Sequence, residues 1–371
     1  MNKTSARPLA LAYAVLIVYA SLYPFADWRD QGIAPWAFLL APLSKYWTSF
    51  DVMSNLVGYS PLGFFCALTV LRGGHSRSLW PAVSLGALAG AALSLAMESA
   101  QSYLPERVPS NLDFVLNAAG SCLGATLACL LNRWGLTARW GQFRKRWFVA
   151  QPHGALVLLS LWPLALLFPA TVPLGLGRFV EPLEEQVALW LVNTPFIDWL
   201  PLHEIELQPL VPGVEMLCVM LGMLAPVLLG HCATDSAWRR AALACVLISL
   251  GIAASALSAA LSYGPEHAWA WMTQPALAGM TLAFALGLLL IGVPSRFARA
   301  LLLIALTLHL AIINQAPQSA YFAQTLQAWE QGRFVRFHGV TQWLGWLWPL
   351  VAMLHVLGQA LRRETLESRP Y

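Results

Sequence analysis

Seven polar residues stand at spacings that bring them together in an otherwise apolar chain: Asp51, Asn55, Glu98, Gln101, Arg107, Asp113 and Asn117. Carboxylates and amides can trade hydrogen bonds with the hydroxyls of a polar headgroup, and a guanidinium can meet a phosphate or carboxylate. The spacings are helical. Asp51 and Asn55 are i and i+4, about 6 Å apart along a helix axis. Glu98 and Gln101 are i and i+3, with Ser94 extending the row, and Asp113, Asn117, Gly120 and Gly124 follow i, i+4, i+7 and i+11. Each set therefore lies on one helix face, free to point at the other two, and Arg107 falls in the connection between the helix of Glu98 and that of Asp113.

Plain architecture explains part of this polarity. Ser110-x-x-Asp113 reads as a capping box, and Asp51 is placed to favour the start of its helix. Gln101 and Asn117 read equally well as hydrogen-bond glue between helices, worth about 1 kcal/mol or less each. Glu98 lies inside its helix and has no capping explanation. The functional reading therefore leans on Glu98 and Arg107. A charged carboxylate costs about 2.5 kcal/mol or more at the centre of a bilayer and less toward its surface. Three carboxylates facing one cavity also repel, so one of them is expected to be protonated or paired with Arg107.

The elements that must position these residues are membrane spans. Of the 371 residues, 58% are hydrophobic and only 11% charged, with a mean hydropathy of +0.60, whereas soluble domains carry about 25% charged residues. Apolar windows long enough to cross a bilayer fall at 8–25, 50–71, 80–103, 111–131, 153–176, 209–231, 239–263, 275–293, 297–315 and 340–361, giving ten predicted spans. The fold class is an all-α polytopic helical bundle. The runs are continuous and rich in Leu and Ala rather than alternating, which argues against a β-barrel. Lys3 and Arg7 precede the first run, which lacks a small-residue cleavage site and so reads as an uncleaved span. The domain plan is a four-helix membrane module over 1–131, a basic linker over 132–152 and a second membrane region of six spans over 153–371.

With the N-terminus inside, sixteen of the 22 Lys and Arg residues fall on the cytoplasmic side, and only Asp235, Glu364 and Glu367 of the acidic residues join them. The positive-inside rule then places both termini in the cytoplasm. Glu98 and Gln101 lie near the outer end of the third span, Asp113 and Asn117 near the outer start of the fourth, and Asp51 and Asn55 near the outer start of the second. All three sets reach one level. Gly120 and Gly124 would let a neighbouring helix approach closely, while Pro61 with Gly58 and Gly63 can bend the second helix below the polar layer. In the outer segment 177–208, Leu183, Val187 and Trp190 are helically spaced beside Glu181, Glu184 and Glu185. Such a helix either lies on the bilayer surface or packs on the bundle.

At the clustered residues the sequence resembles the VanZ-like family of bacterial membrane proteins. The resemblance rests on Asp51-x-x-x-Asn55, Pro61-Leu62-Gly63, Glu98-x-x-Gln101, Arg107 and Asp113-x-x-x-Asn117-x-x-Gly120, and it covers about residues 8–131. It implies a small helical module in the bacterial cytoplasmic membrane, a link to the cell envelope and, for the namesake, resistance to the glycopeptide antibiotic teicoplanin. It implies no known reaction.

Ser102-Tyr103-Leu104-Pro105-Glu106 recurs 160 residues on as Ser262-Tyr263-Gly264-Pro265-Glu266, and the same offset pairs Asn55 with Glu215. Two explanations stand: spans five to eight repeat spans one to four in the same orientation with two extra helices beyond them, or biased composition produces the likeness. Glu98 then meets Ser258, Arg107 meets His267, Asp113 meets Thr273 and Asn117 meets Leu277, so a second copy lacks the cluster. Arg333, Arg336 and His338 form a secondary candidate for an anionic headgroup, against simple interfacial anchoring. His309 and His355, alone in apolar helices, read as packed against partners. The six cysteines show no CxxC and no neighbouring histidine, so neither a metal site nor a disulfide framework is indicated.

The leading expectation is a non-enzymatic or transport-like protein that binds the headgroup of an envelope lipid or a lipid-linked glycan in an outward-facing pocket. Its expected partners are membrane lipids, with no nucleic acid and no cofactor. One alternative is an intramembrane enzyme using Glu98 and Asp113, although no nucleophile motif, metal set or phosphate loop appears. Another is proton-coupled transport, although the inner halves of the second to fourth spans are almost purely apolar.

Overall fold

The computed structural model describes residues 6–23, 25, 27–42, 47, 49–73, 79–149, 153–197, 209–317 and 335–367. Among them are twelve α-helices and no strand: α1 Ala6–Leu22, α2 Ser49–Arg72, α3 Trp80–Gln101, α4 Asn111–Arg133, α5 Leu136–Trp147, α6 His153–Ala165, α7 Val180–Leu191, α8 Pro212–Ala233, α9 Ala237–Tyr263, α10 Gln274–Leu289, α11 Ser295–Ile313 and α12 Val335–Glu367. Eight of these are long and apolar enough to cross a membrane, and α1 and α6 are shorter apolar helices. The protein is a multi-pass membrane protein. Residues 1–144 and 145–371 form two compact units. The basic segment after α4 is itself helical, as α5, with no buried residue.

In the first unit, α2 packs most extensively on α4, with α3 against both and α1 along α2. Small residues set these distances. A Cβ on Gly124 would strike the Ser60 carbonyl, one on Gly120 the Leu56 carbonyl, and one on Gly63 the Ser121 carbonyl. Lipid tails are as apolar as leucine, so helices in a bilayer gain mainly from such close van der Waals contact. Gly63 therefore serves the contact between α2 and α4, whereas a Cβ on Gly58 would meet nothing. The helix α2 continues through Pro61 as one element.

In the second unit α8 is central and buried along most of its length, as befits a helix apolar all round. It packs on α10 and α11, while α12 packs on α6. The predicted span over 153–176 differs from expectation, because its helix ends at Ala165 and the chain continues as turns and irregular backbone to Arg178. Pro169 and Pro173 lack the N–H groups a helix needs, Leu174 takes a left-handed φ of 60°, and Gly177 supplies a φ of 92°. Irregular backbone at membrane depth survives only where protein satisfies it. Here His309 bridges from α11, its ring nitrogens lying 3.1 Å from the Cys218 carbonyl and 3.3 Å from the Leu176 N–H. Asn314 accepts from the N–H groups of Phe179 and Val180, both at 3.1 Å, and donates to the Gly177 carbonyl at 3.0 Å. His309 thus finds the partners expected of it, and His355 lies 2.8 Å from the Gln359 amide.

The amphipathic helix anticipated within 177–208 is α7. It buries no residue: Leu183 and Trp190 are exposed on it, while Glu181, Pro182 and Glu185 line a pocket together with Gln342 and Trp346 of α12. Residues 198–208 of that segment lie outside the described residues.

Candidate functional site

The polar residues of the first unit converge where the end of α3 meets the starts of α2 and α4. The Asn55 amide of α2 donates to the Asp113 carboxylate of α4 at 2.8 Å. Deeper, the Asn117 amide donates to the Ser94 hydroxyl of α3 at 3.0 Å, and the Ser121 hydroxyl donates to the Gly86 carbonyl at 2.8 Å. Ser94, Glu98, Asn117 and Ser121 are all buried. The rows read from sequence therefore do face one another, because i and i+4 spacing holds each row on one face and the small residues let those faces meet. Asp51 stands one turn before Asn55, half-buried in the first turn of α2.

Four of the seven residues also have architectural duties. The Ser110 hydroxyl accepts from the Asp113 N–H at 3.3 Å, which is the predicted cap of α4. The Glu98 carboxylate accepts from the Ser110 N–H at 2.8 Å. This corrects the expectation that capping does not involve Glu98. The residue caps nothing on its own helix, but it fixes the residue that caps the next one. The other end of the cluster ties down α1: the Gln101 amide donates to the Ser21 carbonyl at 3.0 Å, and the Arg107 guanidinium donates to the Tyr23 carbonyl at 2.9 Å. The last carbonyls of a helix have no partner within it, so these side chains supply what the end of α1 lacks.

The segment after α1 crosses the same tip. Arg29 N–H donates to the Tyr103 carbonyl at 2.9 Å, the Gln31 amide to the Ser102 carbonyl at 2.8 Å, and the Asn111 amide to the Ala41 carbonyl at 2.6 Å. These bonds fasten residues 29–41 over the hairpin formed by α3 and α4.

The structure adds a group absent from the sequence reading. Tyr59 continues the row of Asp51 and Asn55 by one further turn, and its buried hydroxyl stands near Ser94, Ser21 and Glu98 without closing a hydrogen bond of good geometry. The i, i+4, i+8 spacing carried this signal, and it was obscured because tyrosine in a span reads as apolar. Asn117 presents a related surplus. Its Oδ1 is buried with no partner, and turning the amide over would leave the NH2 without one instead, since Ser94 Oγ serves a single end. Buried polar groups are nearly always paired, so each exception calls for an explanation. Of the secondary candidates, Arg333 lies outside the described residues, as do the side chains of Arg336 and His338 in the first turn of α12.

Residues 8–132 match the family model described as VanZ/LLP1. That stretch is a VanZ/LLP1 family domain, and it takes in all seven clustered residues and Tyr59. No curated protein and no solved structure matches the chain.

Proposed function

We propose, for a multi-pass membrane protein whose residues 8–132 are a VanZ/LLP1 domain, that this domain holds the polar headgroup of an envelope lipid or lipid-linked glycan between α2, α3 and α4. The observation that carries the reading is the buried surplus of hydrogen-bonding capacity: one end of the Asn117 amide and the Tyr59 hydroxyl, side by side with Ser94. A sugar or glycerol hydroxyl both donates and accepts, and it would satisfy either group. Asn55 with Asp113, and Glu98, border the same layer, and Arg107 is the cation that would meet a phosphate or carboxylate on the ligand. Binding, rather than turnover, is the role such a set of amides and carboxylates supports.

The basic residues favour an orientation with both termini in the cytoplasm of a bacterial inner membrane, so that the tip of the α3–α4 hairpin faces outward. Cysteines placed singly at Val108 and Gly141 report it: a membrane-impermeant maleimide added to intact cells should label the first and spare the second. The ligand reading is tested by gentle purification followed by lipid extraction and mass spectrometry. A glycolipid or lipid-linked glycan should accompany the wild-type protein and be depleted in Asn117→Leu and Arg107→Ala. The same lipid in equal amount on those variants overturns the proposal.

A further inference from the structure

The second unit holds a cavity of about 630 Å³ whose walls come from the broken span after α6, the start of α8, the end of α9 and the start of α10. Its floor is the irregular backbone of residues 169–174, the place where the predicted helix fails. Most of the lining is apolar, with Tyr263 and Trp271 among the walls, and its polar features gather around Glu215, Thr273 and Ser258. The Thr273 hydroxyl donates to the Glu215 carboxylate at 2.9 Å, while the buried Ser258 hydroxyl donates to the Leu167 carbonyl at 2.9 Å.

The position is not arbitrary. Glu215 and Thr273 are the residues 160 places after Asn55 and Asp113, and each pair joins its two helices through one side-chain bond, at 2.9 and 2.8 Å. A similar close approach lies one residue out of that register, since a Cβ on Gly279, 159 places after Gly120, would approach the Met216 carbonyl much as one on Gly120 would strike that of Leu56. The 160-residue offset covers α2 to α4 against α8 to α10. Residue 6 plus 160 is Leu166, just past the end of α6, so α1 has no helical counterpart at this offset and the cavity's irregular wall stands there instead. Where the first unit has Glu98, the second has Ser258, which lines the cavity. That exchange removes bulk and charge together. Of the described residues lining the cavity, Glu215 is the one that carries a charge, and none is Lys, Arg or His.

We infer that this cavity is a second binding site, for an amphiphile whose protonated amine head meets Glu215 and whose apolar body lies against the broken span. The volume suits a single small-molecule ligand. The sign follows from the wall: a lone carboxylate in an apolar setting attracts an ammonium through a charge-assisted hydrogen bond and repels a phosphate. Discontinuous spans at membrane depth characteristically line such sites. The inference is independent of the headgroup reading for the first unit.

The test uses the full chain in phosphatidylcholine nanodiscs with two photoreactive probes of equal length, an alkylamine and an alkyl phosphate, each bearing a diazirine in its chain. The amine should label peptides containing residues 166–174 and 255–263 saturably, with the phosphate at least about tenfold weaker there. Glu215→Gln retains an acceptor for Thr273, so it should leave the melting temperature unchanged while weakening amine labelling by about tenfold. Ala259→Phe, which fills the cavity without touching the polar groups, should abolish labelling of those peptides by both probes. Equal labelling by amine and phosphate, amine labelling unchanged in Glu215→Gln, or no saturable labelling of these peptides overturns the inference.

Discussion

Glu98 is the residue at which architecture and ligand binding make different demands, so its two simplest variants separate them. In the wild type its carboxylate accepts the Ser110 N–H at 2.8 Å. A hydrogen bond to a charged group contributes about 1.5–3 kcal/mol and a neutral one about 0.5–1.5. Glu98→Gln keeps an oxygen in place for Ser110 and should cost only the difference, about 1 kcal/mol. Glu98→Ala removes the acceptor and strands a partly buried N–H at the cap of α4, so its cost should reach about 2–3 kcal/mol. Equilibrium unfolding of purified protein in mixed micelles with increasing SDS reads both values. If Gln costs as much as Ala, the charge itself holds the fold and the case for reserving it for a ligand fails. If neither variant loses stability, the Glu98–Ser110 bond contributes nothing and the account of the α3–α4 hairpin is wrong.

Other parts of the structure make equally definite demands. Gly124→Leu drives a side chain into the Ser60 carbonyl and should destabilise the first unit by about 1–3 kcal/mol or more, seen as a lower melting temperature, whereas Gly58→Ala should leave it unchanged. A double-mutant cycle on Asn55→Ala and Asp113→Ala should give a coupling energy of about 1 kcal/mol in the same unfolding assay, and additive costs would show that the 2.8 Å contact carries no energy. His309→Phe fills a similar volume but leaves the Cys218 carbonyl and the Leu176 N–H without their partner. It should cost about 2–4 kcal/mol and raise protease sensitivity between residues 168 and 178, while Gln substitution restores part of the loss.

The sequence was most legible where periodicity carries the signal. Eight long apolar helices and two shorter ones fall at the ten predicted windows, because the bilayer requires both length and apolarity. The rows on α2, α3 and α4 were equally plain, since i and i+4 spacing survives into any helix. The fifth span misled because hydropathy measures apolarity, and residues 168–177 are apolar without being helical. Their backbone is satisfied by His309 and Asn314, more than a hundred residues away, and no local pattern announces such partners. Glu98 misled for a related reason. Its partner is a backbone N–H twelve residues on, and backbone donors leave no trace in residue type.

The central claim is that the surplus polar groups of Asn117 and Tyr59 belong to a bound headgroup. Native mass spectrometry of the full chain, released from nanodiscs of native membrane lipid, tests it most directly. The account predicts one tightly held envelope lipid per wild-type chain, lost when Asn117→Leu and Tyr59→Phe are combined in a protein that still unfolds cooperatively. A wild-type chain that sheds all lipid under the same conditions, or a double variant that retains the same adduct, contradicts it.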